Sequence, residues 1–224
     1  MRKVAVVTGC SYGLGYDIAD RLINEGYFVY GLSRSEPSPN LSAYPDTFQW
    51  IECDISKSNQ VEFAFERIST YIDVLVNNAG VYEWGVFKHD STPYMIDRMI
   101  DTNVKGTMYV THQALKTMNK KSDIFFINSV AGLAEMELEA VYSASKHAIT
   151  AFAGALGAEL NTQMDEIRVT SIHPGGIKTP MQAKHPSKDK MMDTKEVTNT
   201  IVHVLNSKAV YKTIKLFSDF EWHP

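Results

Sequence analysis

Only two cysteines, Cys10 and Cys53, occur in the 224 residues. Two thiols far apart in the chain make neither a disulfide framework nor a metal cluster, and both are expected to be buried and reduced. No charge sign dominates: 22 basic residues stand against 26 acidic ones, the formal net charge is −4, and the pI is about 6.0. That balance argues against a surface built for nucleic acid or an anionic membrane. No apolar run approaches the ~20 residues of a membrane span. The N-terminal MRKVAVVTG has two charges and then four apolar residues before Thr8, too few for the apolar region of a signal peptide. Internal repeats, long linkers and charge blocks are missing as well. The expectation is one soluble, cytoplasmic domain over 1–224, with neither nucleic acid nor membrane as partner.

What the chain does contain is a repeated rhythm of short apolar run, small-residue turn and helical period. Strands are expected at 4–9, 28–34, 48–55, 73–80, 123–130, 167–175 and 211–217. Helices are expected at 14–26, 58–70, near 92–101 and 103–119, near 140–162, and at 194–206. SEPSPN (35–40) is a loop by its two prolines, and 178–192 shows no clear period. Strands that are apolar without alternation belong in a sheet covered on both faces. Their alternation with helices predicts an α/β fold, a single-domain, Rossmann-type doubly wound parallel sheet of about seven strands with helices on both faces. Ligands bind such sheets outside the carboxyl ends of the strands, so the polar turns there are where chemistry is sought.

The first of those turns is TGCSYGLG (8–15), with glycines at 9, 13 and 15. Glycine lets a ligand approach the main chain closely, and free N–H groups at the start of the following helix bind pyrophosphate. A second short stretch, AVYSASKHAIT (140–150), puts Tyr142 and Lys146 four residues apart. One helical turn separates them, so they share a face. The alanines and serines around them leave room for a large ligand.

The glycine spacing, Thr-Gly-x-x-x-Gly-x-Gly, resembles that of the short-chain dehydrogenase/reductase family. NNAG at 77–80, Asn103 in NVKG, Ser129 closing the fifth strand 13 residues before Tyr142, Tyr142-x-x-x-Lys146, and Pro174-Gly175 with Thr179 continue the likeness in order through nearly the whole chain. The resemblance implies an oxidoreductase that moves a hydride between NADP(H) and a carbonyl or secondary alcohol. It implies catalytic roles for four residues. Tyr142 is the proton donor in reduction and acceptor in oxidation, and Ser129 holds the substrate oxygen. Lys146 acidifies Tyr142 and binds the nicotinamide ribose, and Asn103 fixes a relay water. An ammonium about 5 Å away, at an effective dielectric of about 20, favours phenolate by roughly 3 kcal/mol, on the order of two pKa units. The free phenol is therefore expected to become more acidic.

The same resemblance places the cofactor against several groups of residues. They are Gly9, Ser11, Tyr12, Gly13, Leu14 and Gly15 in the first turn; Ser33 and Arg34 after the second strand; and Asp54 and Ile55 by the adenine. Asn78, Ala79 and Gly80 would flank the adenosine, Tyr142 and Lys146 the nicotinamide ribose, and Pro174, Gly175, Ile177 and Thr179 the carboxamide. NAD-selective members carry an acidic residue where this chain has Ser33-Arg34. Arg34 instead suits a 2′-phosphate, so NADP(H) is expected over NAD(H). Residues 178–192 are the expected substrate lid. Tyr82, Trp84, Val130, Ala131, Leu133, Met136 and Met181 are candidates to line a small-molecule carbonyl or alcohol pocket. His147 and His173 read as structural. A stripe of Ala144, Ala148, Ala151, Ala155 and Ala158, by family likeness, suggests a homodimer or homotetramer. Two alternatives stay open. One is a 3-oxoacyl (acyl-carrier protein) reductase or 3-hydroxy acid dehydrogenase, for which Lys184, Lys188 and Lys190 would form a basic mouth. The other is a catalytically idle NADP(H) sensor or scaffold.

Overall fold

The structure is a computed structural model that describes residues 2–37, 41, 45–162, 166–183 and 188–217. Seven strands, β1 (Val4–Thr8), β2 (Phe28–Ser33), β3 (Phe48–Glu52), β4 (Ile72–Asn77), β5 (Met118–Ile127), β6 (Arg168–Pro174) and β7 (Thr213–Leu216), form one sheet in the order β3-β2-β1-β4-β5-β6-β7. Every neighbouring pair is parallel. The chain builds outward from β1 to β3, returns to β4 and builds outward on the other side. The reversal leaves a crevice between the carboxyl ends of β1 and β4.

Strands β1, β4 and β6 are buried on both faces, as their runs of apolar residues require, whereas β7 at the sheet edge is partly exposed. Val4 and Val6 of β1, with Ile124 and Phe126 of β5, face one layer, made by α2 (Ser58–Glu66), α5 (Thr107–Leu115) and α6 (Ala140–Thr162). Ala5, Val7, Phe125 and Ile127 face the other, made by α1 (Gly13–Asn24) and α7 (Thr194–Asn206). Side chains one residue apart on a strand point to opposite faces, so one continuous apolar run supplies two cores. Gly31 in β2 is required by packing: a Cβ there would lie 2.5 Å from the Cys10 sulfur. Cys10 and Cys53 are both buried free thiols, held up to about 11 and about 12 by burial. No helix among the described residues is long and apolar enough to cross a membrane.

Several boundaries differ from the expected ones, each for a local reason. β3 stops at Glu52 because Asp54 turns the chain: its Oδ1 accepts from Ser56 N at 3.0 Å and its carbonyl from Lys57 N at 3.0 Å. A short helix, α3 (Phe87–Asp90), precedes α4 (Pro93–Met99), which starts on the cap that Thr92 Oγ1 gives Met95 N at 3.2 Å and on Pro93. The two helices expected near 92–101 and 103–119 are joined without a break by a π-helical segment, Ile100–Gly106. β5 begins at Met118 and ends at Ile127, two residues before Ser129. Residues 38–40, in the expected loop at 35–40, and 184–187, in the expected lid, lie outside the described residues.

At the amino ends of the strands, away from the crevice, Arg168 forks onto Asp123 with Nε–Oδ1 2.7 Å and Nη2–Oδ2 3.0 Å. Its Nη1 also donates to Ser207 O at 2.5 Å, joining β5, β6 and the end of α7. Burial pushes the Asp123 carboxyl up, and Arg168 pulls against that shift. Replacing Arg168 by Met is expected to cost about 1.5–3 kcal/mol of folding free energy, the scale of a charged hydrogen bond lost from a half-dry site. Urea denaturation at neutral pH reads this as a lower midpoint.

Candidate active site

One large cleft of about 360 Å³ opens at the carboxyl ends of the strands. Of the residues expected at a cofactor or catalytic site, all but Asn103 line it.

The first wall is the glycine turn. Gly9 and Gly13 have φ of +70° and +62°, a backbone that side chains disfavour. A Cβ on Gly15 would sit 2.1 Å from Gly9 O, and one on Gly9 would sit 2.9 Å from the Ala79 Cα. The β1 and β4 turns are thus pressed together, with Thr8 as the peg. Its Oγ1 accepts from Asn78 N and Ala79 N, both at 3.0 Å, and Asn78 Nδ2 donates to Thr8 O at 2.9 Å. α1 begins at Gly13 with no side chain capping it, so the amides of its first turn face the cleft as donors for an anion. The residues fit a pyrophosphate.

Along the rim, Arg34 is exposed beyond the end of β2. Ser33 lines the cleft, but its hydroxyl turns inward, donating to Ser35 O at 2.8 Å and accepting from Trp50 Nε1 at 3.1 Å. Asp54 is held in its turn by Ser56 N. Ile55 packs against Gly106, where a Cβ would come within 2.8 Å of Ile55 Cγ1. On the far wall, Gly175 N donates to Leu216 O at 2.9 Å, and Ile177 pairs with Met192 in a bridge. Thr179 and Pro180 close back on the first turn, 3.5 and 3.4 Å from where a Cβ of Gly13 would be.

Between these walls stand Ser129, Tyr142 and Lys146. Ser129 begins a 3-10 turn (Val130–Gly132), its Oγ accepting from Ala131 N at 3.1 Å. His173, fully buried, donates from Nδ1 to Ser129 O at 3.0 Å and accepts from Ser171 Oγ at Nε2, 2.9 Å. Burial holds that imidazole below the usual range, so it acts as a neutral strut. His147 likewise spends Nδ1 on Ser143 O at 2.9 Å. Tyr142 and Ser129 share a side-chain hydrogen bond. Lys146 Nζ lies 5.6 Å from the centre of the Tyr142 ring and donates to Ile127 O at 3.2 Å.

The electrostatics depart from the sequence-based expectation. Burial pushes the Tyr142 phenol well above its free value, with the Ser129 hydrogen bond acting against the shift. Burial also brings the Lys146 ammonium down to about 8. The cause is desolvation of both partners, which disfavours phenolate and ammonium alike. Moreover, the ammonium is aimed at a carbonyl rather than at the phenol oxygen. Tyr142 is therefore a protonated acid throughout the neutral range.

Asn103 does not enter the cleft. Its carboxamide is fully committed: Oδ1 accepts from Val81 N at 2.8 Å, and Nδ2 donates to Val81 O at 2.9 Å and Ser145 Oγ at 3.1 Å. Of the substrate-pocket candidates, Tyr82, Val130, Ala131, Met136 and Met181 line the cleft; Leu133 and Trp84 do not. Trp84 stands instead on a shallow surface hollow with Phe87 and Leu138. Of the three lysines considered for a basic mouth, Lys190 lines the cleft; Lys184 and the side chain of Lys188 lie outside the described residues. Sequence reasoning missed Thr8, Asn128, Glu139 and Gln182. Asn128 adjoins Ser129, and its Nδ2 ties Lys146 O and Thr150 Oγ1 at 3.2 and 2.9 Å. The only signal for it was that position beside Ser129.

Comparison with known proteins agrees with this geometry. The family model described as short chain dehydrogenase matches residues 3–190. The farnesol dehydrogenase of Aedes aegypti is 32% identical over 222 residues, covering 92% of this chain and 90% of that protein. A variant of the actinorhodin polyketide ketoreductase, solved with NADPH, superposes with a TM-score of 0.84 at 26% identity, over 97% of this chain and 96% of that one. The 3-oxoacyl-[acyl-carrier protein] reductase of Brucella melitensis, solved with NAD, shares the fold with a TM-score of 0.87 at 24% identity, over 96% and 95% of the two chains.

Lys146 yields a pH signature. Unfolded, the lysine keeps its proton to 10.5, whereas folded it releases it near 8. Between those values the unfolded chain binds more protons, so native stability rises with pH across the window, and below it the penalty is complete. Relative to Lys146→Met, the native protein is expected to gain about 3 kcal/mol from pH 8 to 10.5. Paired denaturation curves at several pH values measure the gain.

Proposed function

The chain belongs to the short chain dehydrogenase family and is an enzyme that interconverts CH–OH and C=O groups with a nicotinamide dinucleotide; from that premise we propose that the dinucleotide is NADP(H), that the substrate is a small carbonyl or secondary alcohol, and that Tyr142 is its acid/base. The observation that carries the reading is the meeting of Ser129, Tyr142 and Lys146 in one cleft with an uncapped glycine turn.

The glycine turn and the first amides of α1 would hold the pyrophosphate. Asp54, Asn78, Ala79 and Gly80 would flank the adenosine, and Pro174, Gly175, Ile177 and Thr179 the carboxamide. Bound there, the dinucleotide supplies or accepts the hydride. Ser129 Oγ holds the substrate oxygen and stabilises charge developing on it. Tyr142 donates its proton to that oxygen as the carbonyl becomes an alcohol. Its raised affinity for the proton suits this direction, because the acid is fully loaded at neutral pH. Lys146 donates to the ribose and, while charged, favours the phenolate left behind. Any water-holding role of Asn103 falls to its main chain in the π-helical segment, since its carboxamide is committed.

Arg34 supports NADP(H): it lines the rim, is exposed, and has no carboxylate at position 33 beside it. Residues 178–192, of which 184–187 lie outside the described residues, are the candidate lid; at its far end Met192 N donates to Gly176 O at 3.0 Å. A homo-oligomer is supported by α6, whose Ala144, Ala151, Ala155 and Ala158 are exposed and small enough for another helix to approach closely.

Two measurements test the assignment. Tyr142→Phe is expected to abolish carbonyl reduction while leaving NADPH binding, followed by fluorescence titration, within about threefold; retained turnover removes Tyr142 from its role. Arg34→Ala is expected to weaken NADPH by about 1–3 kcal/mol and NADH far less, and equal losses remove the 2′-phosphate from that site.

A further inference from the structure

Glu139 lines the cleft one residue before α6 begins, three residues ahead of Tyr142. Its main chain starts the helix, accepting from Ser143 N at 2.7 Å. Its carboxylate is fixed from the side: Tyr82 Oη donates to Oε1 at 2.7 Å. Tyr82 in turn sets the edge of its ring against Tyr142, centroids 4.8 Å apart and planes at 84°. An acidic side chain is therefore held beside the residue assigned to proton transfer, on a rigid helix start. Its charge acts on the Tyr142 hydroxyl, adding to the effect of burial.

Much of the surrounding wall is apolar, with Val130, Met136 and Met181 among the lining residues. A cleft that offers a fixed carboxylate on such a wall is complementary to hydrogen-bond donors and disfavours anions beside it.

Resting on the reaction proposed above, we propose that Glu139, braced by Tyr82, is a specificity-determining residue: it admits neutral or cationic carbonyl compounds that carry a hydrogen-bond donor near the reacting carbon, and it rejects carboxylates. The 3-hydroxy and 3-oxo acids thereby fall outside the substrate range. Three cations also line the cleft: Arg34 and Lys190 are exposed, and Lys146 is turned onto Ile127 O at 3.2 Å, its ammonium brought down to about 8 by burial. Glu139, in contrast, lies three residues before Tyr142 on the cleft wall, bonded to the Tyr82 whose ring packs on Tyr142. Like charges brought together at such range discriminate strongly, because each must also shed water.

Acetoacetamide and acetoacetate form a matched pair, with an N–H donor in one where the other has a negative oxygen. Their kcat/KM values with NADPH, or their inhibition constants against the best ketone of a panel, give a ratio in which general losses cancel. The native enzyme is expected to favour the amide by at least about tenfold. In Glu139→Gln the ratio falls toward one, and in Glu139→Lys it inverts. Equal or better use of acetoacetate by the native enzyme, an unchanged ratio in Glu139→Gln, or failure of the amide to bind overturns the inference and leaves the reductase reading standing. Absence of hydride transfer to every carbonyl tried, with both dinucleotides, overturns that reading and the inference together.

Discussion

The carboxamide of Asn103 is the joint on which the site depends. One side chain satisfies both main-chain groups of Val81 and reaches Ser145 Oγ, which itself donates to Tyr142 O at 2.7 Å. It therefore fastens the segment after β4, which lines the cleft, to the helix that carries Tyr142 and Lys146. It is 2% exposed, so each of these bonds acts in a dry, low-dielectric setting. The π-helical turn around it is what lets a residue in the middle of a continuous helix reach sideways in this way. Gly80 makes the approach possible, since a Cβ there would already stand 3.3 Å from Asn103 Oδ1.

Upon that joint rests a chemistry governed by dryness rather than by the simple attraction of a cation for a phenolate. Two ionisable groups, Tyr142 and Lys146, lose water together in the cleft, and both are pushed toward neutrality. The phenol holds its proton and the ammonium loosens its own. In the reaction proposed, the arrangement would keep an acid loaded until a substrate oxygen arrives, and Ser129, steadied by His173 from β6, would stand where negative charge gathers. Preorganised donors of this kind gain in effect where water is excluded.

How much of this was legible in the sequence follows from the range over which each feature is decided. The glycine turn, the Tyr142–Lys146 pair and the order of the strands are local patterns, and local geometry settles them. TKEVTNTIVHVLN gave its helix at 194–206 to the residue, because Asp193 caps it and the period is unbroken. The end of β3 was misjudged because a side-chain turn at Asp54 competes with an apolar run that looks extended. The split at Asn103 was misjudged because only tertiary partners, Val81 and Ser145, call for a π turn. Glu139 and Gln182 were invisible for the same reason: nothing in their neighbours in the chain says that they face a cleft. The direction of the Tyr142 shift was missed because a pairwise Coulomb estimate carries no measure of burial.

The Arg168–Asp123 fork lies at the opposite end of the sheet from the cleft. Cohesion and chemistry thus occupy different poles of the same seven strands. Descendants of such a chain are free to exchange residues around the mouth and try new compounds, while the distant clasp keeps the scaffold intact. Catalytic novelty and structural robustness are, in this architecture, inherited separately.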